Sequence, residues 1–411
     1  MSSAPSTSRA AALAVSAWIA LGLWGCPWLN AEEPEDCMPV GALLPFTGDL
    51  ASAGANIERA LMLALEDIEA AGGVGPRPLC LVPRDTHSDE KRGLAAARDL
   101  LRYQRVRALF GPQQDGLALR VIEELRRARV AGISGGTTSP TQRFTEDNGL
   151  WFRTVPSALV LGEALAERMY QDGARHISVL YESSEYGVGW SSVLQVNFTA
   201  RGGTSEGIFS YQPDQQTYTE VLNRAFAPGV DAVVLVASAR SGAAIVEEWA
   251  SSGRGGAWYF TPSLNDRVFL DNIPLGTVDG MIGISPAVGA DADRFTSSFA
   301  ARWAGERPLR DAYFYYDAAV LWALAYETAR SQPGGAPAAE GIARQIQPVS
   351  APPGQLVHWY ELDRALDLVR AGEEIDYIGA SGDVNIDSRG DVESGRYQFW
   401  SVVEDRVELE D

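Results

Sequence analysis

The fold is decided by Val40-Gly41-Ala42-Leu43-Leu44-Pro45-Phe46-Thr47-Gly48 and the segment that follows it. Residues 40–44 form a short, unbroken apolar run stopped by proline, the pattern of a strand buried on both faces. Ile57, Leu61, Leu65 and Ile68 then recur at helical spacing and share one face of a helix that ends at Gly72-Gly73. A buried strand feeding an amphipathic helix is the first half of a βαβ unit.

The same grammar continues outward. Residues 79–82, 106–110 and 130–133 read as further strands, separated by helices carrying Leu94, Ala97 and Leu101, then Leu117, Val121, Ile122 and Leu125. This predicts a parallel sheet with helices on both faces. After Arg153-Thr154-Val155-Pro156 the pattern restarts. A helix with Leu161, Leu165 and Met169 leads to strands at 177–181, 207–211, 231–237 and 257–260, with helices between them. Two successive α/β halves imply two doubly wound lobes, with function at the carboxyl ends of the strands and in the cleft between lobes. Residues 286–347 carry a further helix pair, one helix spanning 317–328 with Ala, Leu and Trp on its buried side. A Pro/Gly-rich loop at 332–338 and a turn-dense stretch at 378–391 precede an alternating strand at 397–403.

With 411 residues the chain is long enough for two domains, and 46% apolar with 21% charged residues is ordinary globular composition. The formal net charge of -20 repels polyphosphate and anionic lipid, so neither nucleic acid nor a membrane surface is an expected partner. At the amino end, residues 10–23 form an apolar run too short to cross a bilayer comfortably and preceded by Arg9, which reads as the core of a signal peptide spanning 1–25. Leu23-Trp24-Gly25-Cys26 resembles a bacterial lipobox, which implies lipidation of Cys26 and a tether over 26–37. Ordinary cleavage nearby, with Cys26 discarded, is the other reading. Either way the protein is exported, which puts Cys37 and Cys80 in an oxidising compartment at the starts of neighbouring strands. A disulfide between them and two buried thiols both fit the sequence.

Five motifs in order carry a family resemblance. They are residues 41–48 with Ala51, Gly54 and the helix ending at Gly73; Phe110-Gly111-Pro112; Ile133-Ser134-Gly135-Gly136-Thr137-Thr138-Ser139-Pro140; Tyr186-Gly187; and the closing stretch from Gly379-Ala380-Ser381-Gly382 to Gly390-Asp391. The chain resembles a type I periplasmic substrate-binding protein of the branched-chain amino acid (Leu/Ile/Val) group, the soluble receptor of an ABC importer. That resemblance implies two Rossmann-like lobes joined by three hinge crossings, closing like a flytrap on a ligand. Carried over, lobe 1 is 38–155 plus 286–380 and lobe 2 is 156–285 plus 381–411. It implies an ABC permease as partner, a monomer, and no metal or organic cofactor.

The residues fit such a site. Glycines and short hydroxyl side chains at 134–140 let backbone approach a small polar solute, and the family's matching positions hold the ammonium and carboxylate of an amino acid at Gly136 and Thr138, with Thr137 between them. An ordinary polar strand-to-helix turn is the bland reading of that loop. Tyr186 offers apolar area and a hydroxyl to close over the ligand, or is a surface tyrosine at a turn. Two departures matter. Asp115 stands where the family has a serine that grips the ligand carboxylate, and it also fits as a helix N-cap. Ser263 stands where amino-acid binders place an acid against the ammonium, with Asp266 three residues on, and Ser238 stands where some members have a tyrosine. The ligand is therefore expected to differ from a simple branched-chain amino acid.

Gly132-Ile133-Ser134-Gly135-Gly136 also matches the nucleophile elbow of serine hydrolases, but the proline-bearing loop that follows is a poor helix start, and His176 and His358 read as structural or exposed. Gly187-Val188-Gly189 lacks the third glycine of a dinucleotide fingerprint, and His87 has no metal-ligand spacing. The expectation is a binding protein, not an enzyme. A stand-alone extracellular sensor for a signalling partner is the alternative use of the same fold.

Overall fold

The computed structural model describes residues 37–332, 337–393, 395–404 and 406–410. The expected signal peptide, Cys26, the tether up to residue 36, and residues 333–336 of the surface loop lie outside the described residues.

Apolar runs and helical periods alternate as β1 (Met38–Leu44), α1 (Ala51–Ala70), β2 (Leu79–Asp85), α2 (Glu90–Arg102), β3 (Ala108–Phe110), α3 (Asp115–Ala128), β4 (Ala131–Ser134), α4 (Thr141–Phe144) and β5 (Trp151–Arg153). The strands pair in parallel in the order β2-β1-β3-β4-β5. Ala42, Leu44 and Phe110 face one core, which contains Ile57, Leu61 and Ile68 of α1, while Leu43 and Leu109 face another formed by Leu94, Leu101 and Leu117. Burying both faces this way requires helices on both sides. The order reverses at β1, so the loops after β1 and β3 diverge and leave a crevice at the carboxyl ends of the strands. Cys37 and Cys80 are joined by a disulfide, with Cα atoms 5.8 Å apart, which ties the start of β1 to β2.

The second lobe repeats the plan with α5 (Ala158–Gln171), β6 (His176–Glu182), α6 (Glu185–Ala200), β7 (Thr204–Tyr211), α7 (Thr219–Ala225), β8 (Ala232–Val236), α8 (Ala239–Ser251), β9 (Ala257–Phe260), α9 (Arg267–Leu270) and β10 (Ile282–Pro286). Its parallel strands run β10-β9-β8-β6-β7, and Val233 and Leu235 face one core while Val234 and Val236 face the other.

The chain then returns to the first lobe through α10 (Ala292–Arg302), α11 (Arg310–Ser331), α12 (Ala339–Ser350), β11 (Gln355–His358), α13 (Leu362–Ala371), β12 (Ile375–Gly379) and β13 (Gly382–Asp383), the three strands forming a small separate sheet. It crosses back for β14 (Tyr397–Val403) and β15 (Arg406–Leu409), which extend the second sheet on the β10 side. Helix α11 begins at Arg310, seven residues ahead of the expected start at 317, because its aromatic run Tyr313 to Tyr316 packs into the first core. Residues 312–327 are buried without a break. Strands β5 and β10 had no expectation in the sequence, since Trp151-Phe152-Arg153 and Ile282-Gly283-Ile284-Ser285-Pro286 hold no sustained apolar run.

Three segments link the lobes, after β5, after β10 and before β14. They lie side by side, with Arg153 N donating to Gly390 O at 2.8 Å and Ala287 N to Arg396 O at 3.0 Å. Val384, Ile386 and Val392 are buried in the first core, so the last crossing falls after residue 392 rather than at the expected 380/381 boundary. The apolar side chains in the turn-dense stretch keep it with the first lobe.

Candidate ligand-binding cleft

The loops after β3 and β4 build the first-lobe wall. Ser134, at the end of β4, donates through Oγ to Pro112 O at 2.8 Å and accepts from the amides of Gly136 and Thr137, each at 3.2 Å. Its other neighbour is the Tyr315 hydroxyl at 3.5 Å. The hydroxyl shapes a turn and is not aligned with a general base. His87 pairs with Thr47 and Asp85, His176 with Glu206, and His358 lies by Asp291, all apart from Ser134.

Asp115 is the first residue of α3, and Gln114 occupies the N-cap position. The expected N-cap role is therefore corrected: Asp115 reaches across to the neighbouring loop. Its Oδ1 accepts from Ser139 N at 2.8 Å and Gln142 Nε2 at 2.7 Å. Burial pushes its pKa up to about 6, against the pull of these donors and of the Arg153 charge. Arg153 is itself fully buried, donating to Ser139 O and paired with Asp391. Thr137 Oγ1 donates to Gln142 Oε1 at 3.0 Å. Gln113 fills the space in front of Gly136, where an added Cβ would meet its Oε1 at 2.0 Å.

The second-lobe wall starts at α6, capped by Ser184, whose side chain accepts from Gly187 N. Tyr186 stands in the first turn of this helix, not in the expected loop. Its hydroxyl lies 3.0 Å from Ser263 Oγ, and burial raises its pKa to about 12. Ser263 also donates to Ala237 O at 2.6 Å. Ser238, at the N-cap of α8, gives both its amide and its hydroxyl to Glu182 Oε2, at 3.1 and 2.7 Å. Asp266 caps α9 through Val268 N.

The walls touch. Trp190 Nε1 donates to Thr138 Oγ1 at 3.2 Å and Ser139 Oγ to Glu185 Oε1 at 2.9 Å. Gly189 lies against Pro140, where a Cβ would come within 2.7 Å of the ring. At the mouth, Arg240 pairs with Asp49 at 2.9 Å. Of the expected residues, Thr138 touches the opposite lobe through Trp190, while Gly136, Thr137 and Asp115 bond within the first lobe and Tyr186, Ser238 and Ser263 within the second.

Sequence reasoning missed the adjoining cavity of about 350 Å³, which is lined from both lobes by Ile57, Asp266, Val288, Leu309, Arg310 and Asp311 among others. Arg310 donates to Pro262 O at 3.3 Å across the cleft, and Gln113 Nε2 donates to Asp311. No motif marks these two charges. The available signal was an Arg-Asp pair opening a helix whose next five residues are apolar or aromatic.

Two parallel-sheet lobes, three crossings and a polar cleft between them define a type I bilobed ligand receptor. The model of the family described as periplasmic binding protein matches residues 38–359. The chain belongs to that family, which implies ligand binding and an extracytoplasmic location. It is 27% identical over 357 residues to the chemotactic signal transduction system substrate-binding protein BasB of Halobacterium salinarum, covering 84% of this chain and 83% of that one. It is 31% identical over 156 residues to Leu/Ile/Val-binding protein homolog 2 of Brucella abortus, covering 36% and 40% of the two chains. Among solved structures, the leucine binding protein LivK of Thermotoga maritima superposes with a TM-score of 0.75 at 20% identity, covering 91% of this chain and 98% of that one. A solute binding protein from R. palustris in complex with benzoate gives a TM-score of 0.69 at 18% identity, covering 91% and 95%.

Proposed function

We propose that the protein is an extracytoplasmic solute receptor, anchored through a lipid on Cys26, that binds a small polar ligand between its lobes and delivers it to an ABC permease. The observation that supports this most is the cleft walled by both lobes, with Arg310 of the first reaching the Pro262 carbonyl of the second. A ligand that contacts both walls stabilises the closed form only through contacts absent when the lobes part, which is the thermodynamic requirement for a closure signal. Gly136, Thr137, Thr138 and Asp115 form the first-lobe face of this reading, and Tyr186, Ser238 and Ser263 close on it.

A second reading has its own support. The relative matched over 84% of this chain is the substrate-binding protein of a chemotactic signal transduction system, which favours a closed form read by a signalling partner instead of a permease. The test has two stages. Small molecules released by denaturing the purified protein are identified by mass spectrometry, then checked for compaction by solution scattering. Deleting the gene next separates the readings: loss of uptake of that solute supports transport, and loss of the behavioural response with uptake intact supports sensing.

A further inference from the structure

The loop at 136–139 is where a ligand carboxylate would be gripped according to the resemblance, yet most of its amides are already used. The Ser139 amide binds the Asp115 carboxylate. The amides of Gly136 and Thr137 bind Ser134, and the Thr138 hydroxyl accepts from Trp190. Asp115 thus occupies, as part of the protein, the place an incoming carboxylate would take. A second carboxylate brought to it would meet like charge.

A cation lies next door. Arg310, at the first turn of α11, has five N–H donors, and among the described residues its hydrogen-bond partner is one carbonyl, Pro262 O, at 3.3 Å. Asp311 and Asp266 act on it through space without closing an ion pair. Asp311 is instead bonded to Gln113, and Asp266 to the α9 amide. Ile57, Val288 and Leu309 give the same cavity apolar walls. A guanidinium in such a place matches a planar carboxylate in a two-bond fork. Burial lowers the Arg310 pKa, the mark of a charge that its surroundings do not fully compensate.

We infer that Arg310, rather than the 136–139 loop, anchors a carboxylate of the ligand, with a donor group of the same molecule facing Asp311 and Asp266. This rests on the receptor reading above and adds the anchoring residue. The carboxylate would displace the Pro262 carbonyl from Arg310, so binding exchanges a weak interlobe bond for one that runs through the ligand.

The test is calorimetric titration and thermal shift on the full chain after denaturing and refolding to strip any resident solute. The probes are matched acids and amides, L-isoleucine with L-isoleucinamide, benzoate with benzamide and 4-aminobenzoate with 4-aminobenzamide, together with putrescine and urea. At least one acid should bind, its amide should bind on the order of 100-fold more weakly, and R310Q should lose a similar factor. R310K keeps the charge without the fork and should fall between the two. R302Q, on the exposed surface, should bind like the parent. Equal binding of an acid and its amide, or unchanged acid binding in R310Q, would overturn the proposal. Binding of putrescine, urea or amides with no acid also overturns it and leaves the receptor reading standing. Silence from every probe counts against both.

Discussion

Burial sets the behaviour of the carboxylates in the first lobe. Asp115 and Asp317 are each raised to about 6 by desolvation. Asp317 grips the turn between β12 and β13 through Tyr377 Oη, Ala380 N and Ser381 N, at 2.9, 2.8 and 2.8 Å. A raised pKa means the folded state holds a proton that the unfolded chain releases near 3.8. The stability these groups contribute is therefore full below that value and is lost as pH rises to about 6. Glu327 runs the other way. Its side chain accepts from Arg330, Arg370 and the Gly75 amide, and its pKa falls to about 2, so its contribution is present above 4.5 and lost as pH drops towards 2. Urea unfolding between pH 4 and 7 should show D115N with a shallower decline than the parent, while a parallel decline would mean that Asp115 does not titrate there. D317A, which strands four donors, the Ser381 hydroxyl among them, should cost about 3 kcal/mol and lower the unfolding midpoint. The position of Asp115 beside the loop was legible from the sequence. Its partners were not, because an N-cap and a cross-loop anchor have the same local signature.

Elements with a clear apolar pattern announced themselves. The strands at 40–44, 257–260 and 397–403 and the helix ending at Gly72-Gly73 appear where their patterns place them. β5 and β10 did not, since their conformation is owed to paired neighbours, β4 for the edge strand β5 and β9 and β14 for β10. The cysteine pair belongs to this scale as well. Adjacent strand starts make a bond feasible, but only the observed Cα separation of 5.8 Å decides it. The bond encloses a sequence separation of 43 residues, for which chain entropy predicts a contribution of about 4 kcal/mol. The C37S/C80S double variant should unfold at correspondingly lower urea with its ligand affinity unchanged, because the disulfide lies at the amino ends of the strands and the cleft at their carboxyl ends. Equal unfolding midpoints would show that the bond adds nothing.

For the whole molecule the controlling quantity is how closely the lobes approach. Gly189 lets α6 rest on Pro140, and nothing larger fits without displacement. Gly189→Leu should wedge the cleft, giving a larger radius of gyration by solution scattering and at least a tenfold loss of affinity for any ligand that compacts the parent, with far-UV circular dichroism unchanged. A variant as compact as the parent would show that closure does not pass through this contact.

The amino-acid sequence by itself determined the alternating α/β order, the two lobes and the loops that face each other, because hydrophobic period and turn chemistry are properties of neighbours along the chain. Only the tertiary structure decided that Asp115 satisfies its own loop, that the final crossing comes after Val392, and that Arg310 meets Pro262 over a cavity. Each of these depends on residues brought together from distant parts of the chain, and the energy of a buried charge is fixed by what surrounds it in space rather than by what adjoins it in sequence.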